Sequence, residues 1–366
     1  MQTQASHIMQ TQAEHDHHTM QFSTRSHTIV ATPSSPPRLP HELVSQILDE
    51  LWDAPHSEDE RISLTQTLCL VNRTWLCLFL RIALRNVHLP YAMSPELFLR
   101  LLPERTLNPE ECNPFTIEAS KLANTICRSI TFHVDGRSAP EDDMDPSPAE
   151  IRVYSDTDPA ANAVSTVLYM TTALQHLPNL QQISLQYTDW GYENVFEQLA
   201  APYFPSQVTH LSIEFSFTAP ALIPLSLYLK SMYSRHPNPR VTLPNIRHLS
   251  LSGVPMEFVA DMLKVCPNVE TLEIMRPARL YALVPLPLSV HTLVLRHPGV
   301  ALDQEVMHWW TLEAALEGGL LPSGGKARII VQSSSPDPLA FTEMKRICRR
   351  YGAELSYERD DDYLAI

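Results

Sequence analysis

The chain is short of glycine, with 9 residues against 31 prolines in 366. Phosphate-cradling loops and tight nucleophile turns lean on glycine, which alone takes positive φ freely and lets backbone approach a ligand. No Gly-x-Ser-x-Gly elbow, Gly-Lys-Ser/Thr loop, dinucleotide glycine fingerprint or His-Glu-x-x-His helix occurs, so the usual catalytic scaffolds are unsupported and the chain reads as a non-enzyme. Its six cysteines form no Cys-x-x-Cys pair, which speaks against a zinc cage or a disulfide framework and leaves reduced thiols, mostly in the core. Basic residues number 27 against 41 acidic ones, for a net charge of -14, so there is no electrostatic footprint for nucleic acid or an anionic membrane. No run approaches the roughly 18 apolar residues of a membrane span, and the first residues lack an apolar signal core. The expectation is a soluble, intracellular chain, in the cytoplasm or the nucleus.

What is present is apolar and punctuated. Hydrophobic residues make up 44%, enough for a sizeable core, and the prolines separate many short elements. Residues 1–37 are polar and contain a short duplication, Met1-Gln2-Thr3-Gln4-Ala5 and Met9-Gln10-Thr11-Gln12-Ala13, and read as a disordered tail. His15, His17 and His18 in that tail read as composition rather than as a metal site.

Composition shifts at Pro36-Pro37-Arg38-Leu39-Pro40, after which Leu43, Val44, Ile47, Leu48 and Leu51 fall at helical spacing. Beyond a polar, acidic connection from Asp53 to Glu60, Ser63-Leu64-Thr65-Gln66 has the form of a capping box and predicts the start of a second helix. Trp75, Phe79, Ile82 and Ala83 predict a third, ending near Asn86. Three helices of this length carry more apolar positions than one mutual core consumes, which favours a partner-covered patch.

The segments Leu39-Pro40-His41-Glu42-Leu43, Leu70-Val71-Asn72-Arg73-Thr74-Trp75 and Ala83-Leu84-Arg85-Asn86-Val87-His88-Leu89 together resemble an F-box, with a lengthened connection between its first two helices. The resemblance implies a helical module over 38–89 that docks onto a Skp-type adaptor, and through it a cullin, with no cofactor and no covalent chemistry. The positions it assigns to the module and its adaptor contact are Leu39, Pro40, Leu43, Ile47, Leu48, Leu70, Val71 and Trp75.

Downstream one pattern recurs: apolar, two spacers, Leu or Ile, one spacer, apolar. It appears at Leu180-Ile183-Leu185, Val208-Leu211-Ile213, Ile246-Leu249-Leu251, Val269-Leu272-Ile274 and Val290-Leu293-Leu295. Each trio predicts a short strand with one buried face. Helices are expected between them at 160–177, 192–201, 221–233, 256–265 and 303–317. The intervals of 28, 38, 23 and 21 residues bracket the roughly 20–29 of leucine-rich repeats, and residues 90–366 resemble that family in degenerate form. The asparagine expected after each trio is replaced by Thr188, Ser216, Val254, Pro277 and Pro298. Edge strands are expected at Ile130-Phe132-Val134, Ile329-Val331 and Leu355-Tyr357. The run over 137–158, rich in acidic residues, reads as a disordered insert.

The fold expected is therefore α/β: a small N-terminal helical F-box-like module followed by an irregular leucine-rich-repeat-like α/β solenoid. The function these resemblances imply is a substrate-recruiting subunit of an SCF-type ubiquitin ligase, holding an unidentified target protein on its repeats. The alternative is a repeat scaffold or protein-interaction protein that never enters a ligase. His308-Trp309-Trp310 is the densest aromatic cluster and is readable either as core or as a partner-binding anchor.

Overall fold

The structure, a computed structural model, describes residues 39–54, 56, 58–89, 98, 114–135, 159–192, 195–199, 204–217, 241–303, 306, 308, 310–321 and 327–359. The tail 1–37, the acidic insert 137–158 and the helix expected over 221–233 lie outside these residues. The chain divides into two units, Met1–Pro40 and His41–Ile366. In the first, Leu39 and Pro40 are described and both are exposed.

The second unit opens with three helices, α1 (His41–Asp53), α2 (Glu58–Val71) and α3 (Arg73–Arg85). The expected capping box does not form, because Ser63 lies inside α2, where its carbonyl accepts the Thr67 hydroxyl at 2.8 Å. The helix has already started on Glu58, Asp59 and Glu60, acidic residues that favour the positive end of the helix dipole. The connection that looked long in sequence is thus partly helix. Asn72 separates α2 from α3 by accepting the Trp75 amide at 3.0 Å, an N-cap bond. Val44, Leu48, Trp52, Leu68, Phe79 and Ile82 form the core of this three-helix group.

No linker follows. The four residues expected to close the helical module, Asn86–Leu89, are strand β1, with Val87 and Leu89 buried and Asn86 and His88 half-buried. A nine-stranded parallel sheet then builds in sequence order: β2 (Ser129–Asp135), β3 (Gln182–Thr188), β4 (His210–Ser216), β5 (His248–Ser252), β6 (Thr271–Met275), β7 (Thr292–Leu302), β8 (Arg328–Pro336) and β9 (Glu354–Arg359). Helices α4 (Pro114–Ile126), α5 (Pro159–Ala173), α6 (Val195–Leu199), α7 (Met256–Val265), α8 (Leu312–Glu317) and α9 (Pro338–Arg350) alternate with the strands. The last two residues of each of the five trios lie in a strand, and the three expected edge strands are β2, β8 and β9.

Register explains the trios. Val87, Ile130, Ile183, Leu211, Leu249, Leu272, Leu293, Ile329 and Leu355 pair strand to strand in one buried row. Two residues on, Leu89, Phe132, Leu185, Ile213, Leu251, Ile274, Leu295 and Val331 form a second row. Both rows share one continuous core with apolar residues of α4 to α9, so the helices cover this face. Parallel sheets usually have both faces covered and read as unbroken apolar runs. Here β3 and β4 alternate buried with half-buried or exposed residues, and the second face is polar along most of its length.

The first residue of each trio sits in the turn that enters the strand. In Leu177-Pro178-Asn179-Leu180 the Leu180 amide returns to the Leu177 carbonyl at 3.0 Å, and Val208, Ile246, Val269 and Val290 repeat the bond to Pro205, Leu243, Cys266 and Pro287. Proline or a polar residue at the tip suits such a turn. The side chain just before the trio then reaches back to an earlier turn or helix end: Asn179 to the Thr125 carbonyl (2.8 Å), Gln207 to Leu177 (3.1 Å), Asn268 to Pro244 (2.8 Å) and Ser289 to Pro267 (3.0 Å). The polar ladder missing after the strands therefore exists before them.

Candidate partner-binding surfaces

Two surfaces of the second unit present side chains that the core does not consume. On α1, Val44, Leu48 and Trp52 face inward, while Leu43, Ile47 and Leu51, each one position earlier, are exposed by 47%, 40% and 39%. A spacing of four keeps each set on one stripe of the helix. Leu70 and Val71 at the end of α2 are also exposed, Leu70 by 84%. Burying such a side chain fully is worth about 1.5–3 kcal/mol, so five aliphatic groups left in water hold a substantial unspent driving force for association.

The structure sorts the sequence-assigned positions. Leu39, Leu43, Ile47, Leu70 and Val71 are exposed apolar groups, and Pro40 is exposed beside them in sequence. Leu48 is fully buried and belongs to the core, and Trp75 is half-buried against that same core. Neither offers the free surface of Leu43 or Ile47.

No motif pointed to the contacts that anchor these helices to the sheet. Arg61, in the first turns of α2, is buried, its guanidinium donating to the carbonyls of Trp52 (2.8 Å) and Ala54 (3.4 Å) and lying 4.9 Å over the Trp52 ring. Trp52 in turn meets His88 of β1 edge-on at 5.4 Å. His88 stacks on His133 of β2, with Nδ1 and Nε2 3.1 Å apart, so one imidazole donates and its neighbour accepts. Burial, with Arg61 nearby, holds the His88 pKa down to about 3 and that of His133 down to about 4.

The second surface is the polar face of the sheet. Its middle row runs Thr131, Ser184, Ser212, Ser250 and Glu273 across β2 to β6 and turns apolar at Val294 and Ile330 on β7 and β8. On one side of it are Gln182, His210 and His248, the two histidines stacked at 5.3 Å. On the other are Gln186, Glu214 and Ser252. Glu273 accepts from Arg296 Nη1 at 3.0 Å and is 3.3 Å from His248 Nε2. Burial works to raise its pKa, but these two partners outweigh it and hold the carboxylate below its usual range. Glu214 differs: burial raises its pKa, partly opposed by Arg276, and its hydrogen bond is from Gln186 at 3.4 Å.

Trp310 is buried within 6.3 Å of the His297 ring, which makes it core, while His308 is exposed and Trp309 lies outside the described residues. Cys127, Cys266 and Cys348 are buried thiols that burial pushes up to about 12. Among the described residues no group of three His, Cys, Asp or Glu side chains could hold a metal, and no helix is long and apolar enough to cross a membrane. No protein-family model, no curated protein and no solved structure matches the chain.

Proposed function

We propose that this chain is a substrate-recruiting adaptor subunit of an SCF-type cullin-RING ubiquitin ligase, acting inside the cell without catalytic chemistry of its own. The observation that carries the reading is the stripe Leu43, Ile47 and Leu51 on α1 with Leu70 and Val71 beyond it. Four of these five come from the F-box-like segments Leu39-Pro40-His41-Glu42-Leu43-Val44-Ser45-Gln46-Ile47-Leu48 and Leu68-Cys69-Leu70-Val71, and they stay solvent-exposed while their neighbours fill the core. A Skp-type adaptor would cover this stripe, and the polar sheet face would hold the target. The sequential parallel sheet with one helix-covered and one polar face supports an irregular leucine-rich-repeat-like solenoid, in which an extended face binds and the loops vary.

The test is capture of a purified Skp-type adaptor by the full chain, with Leu43→Asp and Ile47→Asp beside the wild type. Both residues are exposed, so the variants should fold, and burying an unpaired charge at the interface should cost several kcal/mol, roughly 3–5. Capture by wild type and loss in both variants supports the reading. No capture by a folded wild type removes the ligase role and leaves a repeat scaffold. The breadth of the polar sheet face favours that second reading, since it needs no contribution from α1.

A further inference from the structure

The two edges of the sheet are finished differently. At β1 the helical group closes the edge, the Asn86 carbonyl accepting the Trp52 indole at 2.8 Å and the Trp52 ring lying against His88. Among the described residues β9 pairs with β8 alone. The Glu354 amide donates inward to the Ala327 carbonyl at 2.9 Å. Peptide groups alternate in direction along a strand, so those of Leu355 and Tyr357 point out from the open edge. The core is incomplete here as well. Its second row is buried from Leu89 to Val331, but Tyr357, which continues that row on β9, is only half-buried. It meets Phe341 of α9, also half-buried, edge-on at 5.9 Å. Repeat arrays need their terminal units covered, and an open edge is a template for another strand.

We infer that the β9 edge takes up one extended strand of a partner protein, in which apolar side chains alternate with lysine or arginine. Pairing with the outward peptide groups of Leu355 and Tyr357 would send successive side chains of that strand to opposite faces. Those on the helix side complete the cover over Phe341 and Tyr357. Those on the other side lie beside Glu354 and Glu358, exposed carboxylates that share one face of β9, and opposite charges on neighbouring strands attract. A second copy of this chain fits poorly. Antiparallel pairing of two β9 edges about an axis normal to the sheet brings Glu354 and Glu358 of both copies to the same face, between chains that each carry -14. The inference goes beyond the adaptor contact on α1 and does not depend on it.

The experiment measures binding of short dye-labelled peptides to the full chain by fluorescence anisotropy, one alternating valine with lysine and one alternating valine with glutamate. The wild type should bind the lysine peptide at least about tenfold more tightly than the glutamate peptide. N-methylation of every second residue of the lysine peptide should abolish binding in one phase, where it blocks the side facing β9, and spare it in the other. Glu354→Lys/Glu358→Lys should reverse the preference between the peptides, whereas Glu270→Gln, which removes a carboxylate ion-paired with Arg247, should retain it. Thermal melts establish that each variant is folded, and adaptor capture by Glu354→Lys/Glu358→Lys should equal wild type, which separates this inference from the ligase reading. A wild type that binds no peptide and is dimeric by light scattering assigns the edge to a second copy and overturns the inference. A monomer that binds none overturns it too, and the carboxylates then serve only to keep the edge unpaired. Equal binding in both N-methylated phases also overturns it, since charge alone would then hold the peptide, as does a preference that Glu354→Lys/Glu358→Lys leaves unchanged.

Discussion

The indole Nε1 of Trp52 donates to the carbonyl of Asn86 at 2.8 Å, joining the end of α1 to the first residue of β1 across 34 positions of sequence. The same ring meets Phe79 edge-on at 5.2 Å and carries Arg61 over its face. Replacing Trp52 by Phe keeps most of the apolar contact and deletes the bond, which should cost about 1 kcal/mol. Trp52→Ala should cost about 3–5 kcal/mol. Urea unfolding measures both, and a Phe variant as stable as wild type would mean that water replaces the indole bond without loss.

Two leucines of α1 should respond differently. Leu48 is fully buried and Leu43 is about half exposed. Leu48→Ala should lower stability by about 2–5 kcal/mol, while Leu43→Ala should stay within about 0.5 kcal/mol. Adaptor capture should fall for Leu43→Ala despite its unchanged unfolding midpoint. Comparable destabilisation by the two substitutions would place Leu43 in the core and remove the stripe from the binding surface.

Gly253, just after β5, has φ +72, and a Cβ there would collide with the Phe215 carbonyl oxygen. Its own carbonyl accepts the Tyr192 hydroxyl at 3.0 Å. Gly253→Ala should therefore destabilise by more than about 1 kcal/mol, because strain and collision act together. Gly319 also has positive φ but open space around it, so Gly319→Ala should cost less. Thermal denaturation of the pair decides whether the collision or the dihedral angle dominates.

The His88–His133 pair predicts acid sensitivity with a definite sign. Both pKa values lie below 6.5 in the folded chain, at about 3 and about 4, so as pH falls below about 6.5 the unfolded chain takes up protons that the folded chain refuses. Stability should decline from there towards pH 4. The charged groups involved are Arg61 of α2, His56 of the segment before it and the two imidazoles themselves. In the double variant His88→Asn/His133→Asn the urea midpoint should change less between pH 7 and 5 than in wild type; equal slopes would assign the sensitivity to other groups.

Much of the sheet was legible because each trio combines period two with an apolar residue in the entering turn. Met256–Val265 forms the expected helix for the same kind of reason, since its apolar residues recur at helical spacing. β1 was hidden: four residues after a helix offer too short a pattern, although Val87 and Leu89 already alternate with Asn86 and His88. The side-chain ladder was visible as Pro178-Asn179, Pro244-Asn245 and Pro267-Asn268, but attention fell on the far ends of the strands. Of the candidate surface, spacing revealed the apolar stripe on α1 but not which half of it would be buried, since that depends on where α3 packs. Glu214 had no local signature at all. Its character comes from the strands registered on either side of it.

Every strand in this sheet bonds to its neighbour in sequence, so each pairing joins consecutive strands and folding should spread from one pair to the next. The ladder has no strand inserted between earlier ones, and removing β9 breaks a single strand pairing, that with β8. Lineages carrying this chain could therefore lengthen or shorten the array at that end by a unit at a time, changing the reach of the polar face while the helices at the other end keep their own packing.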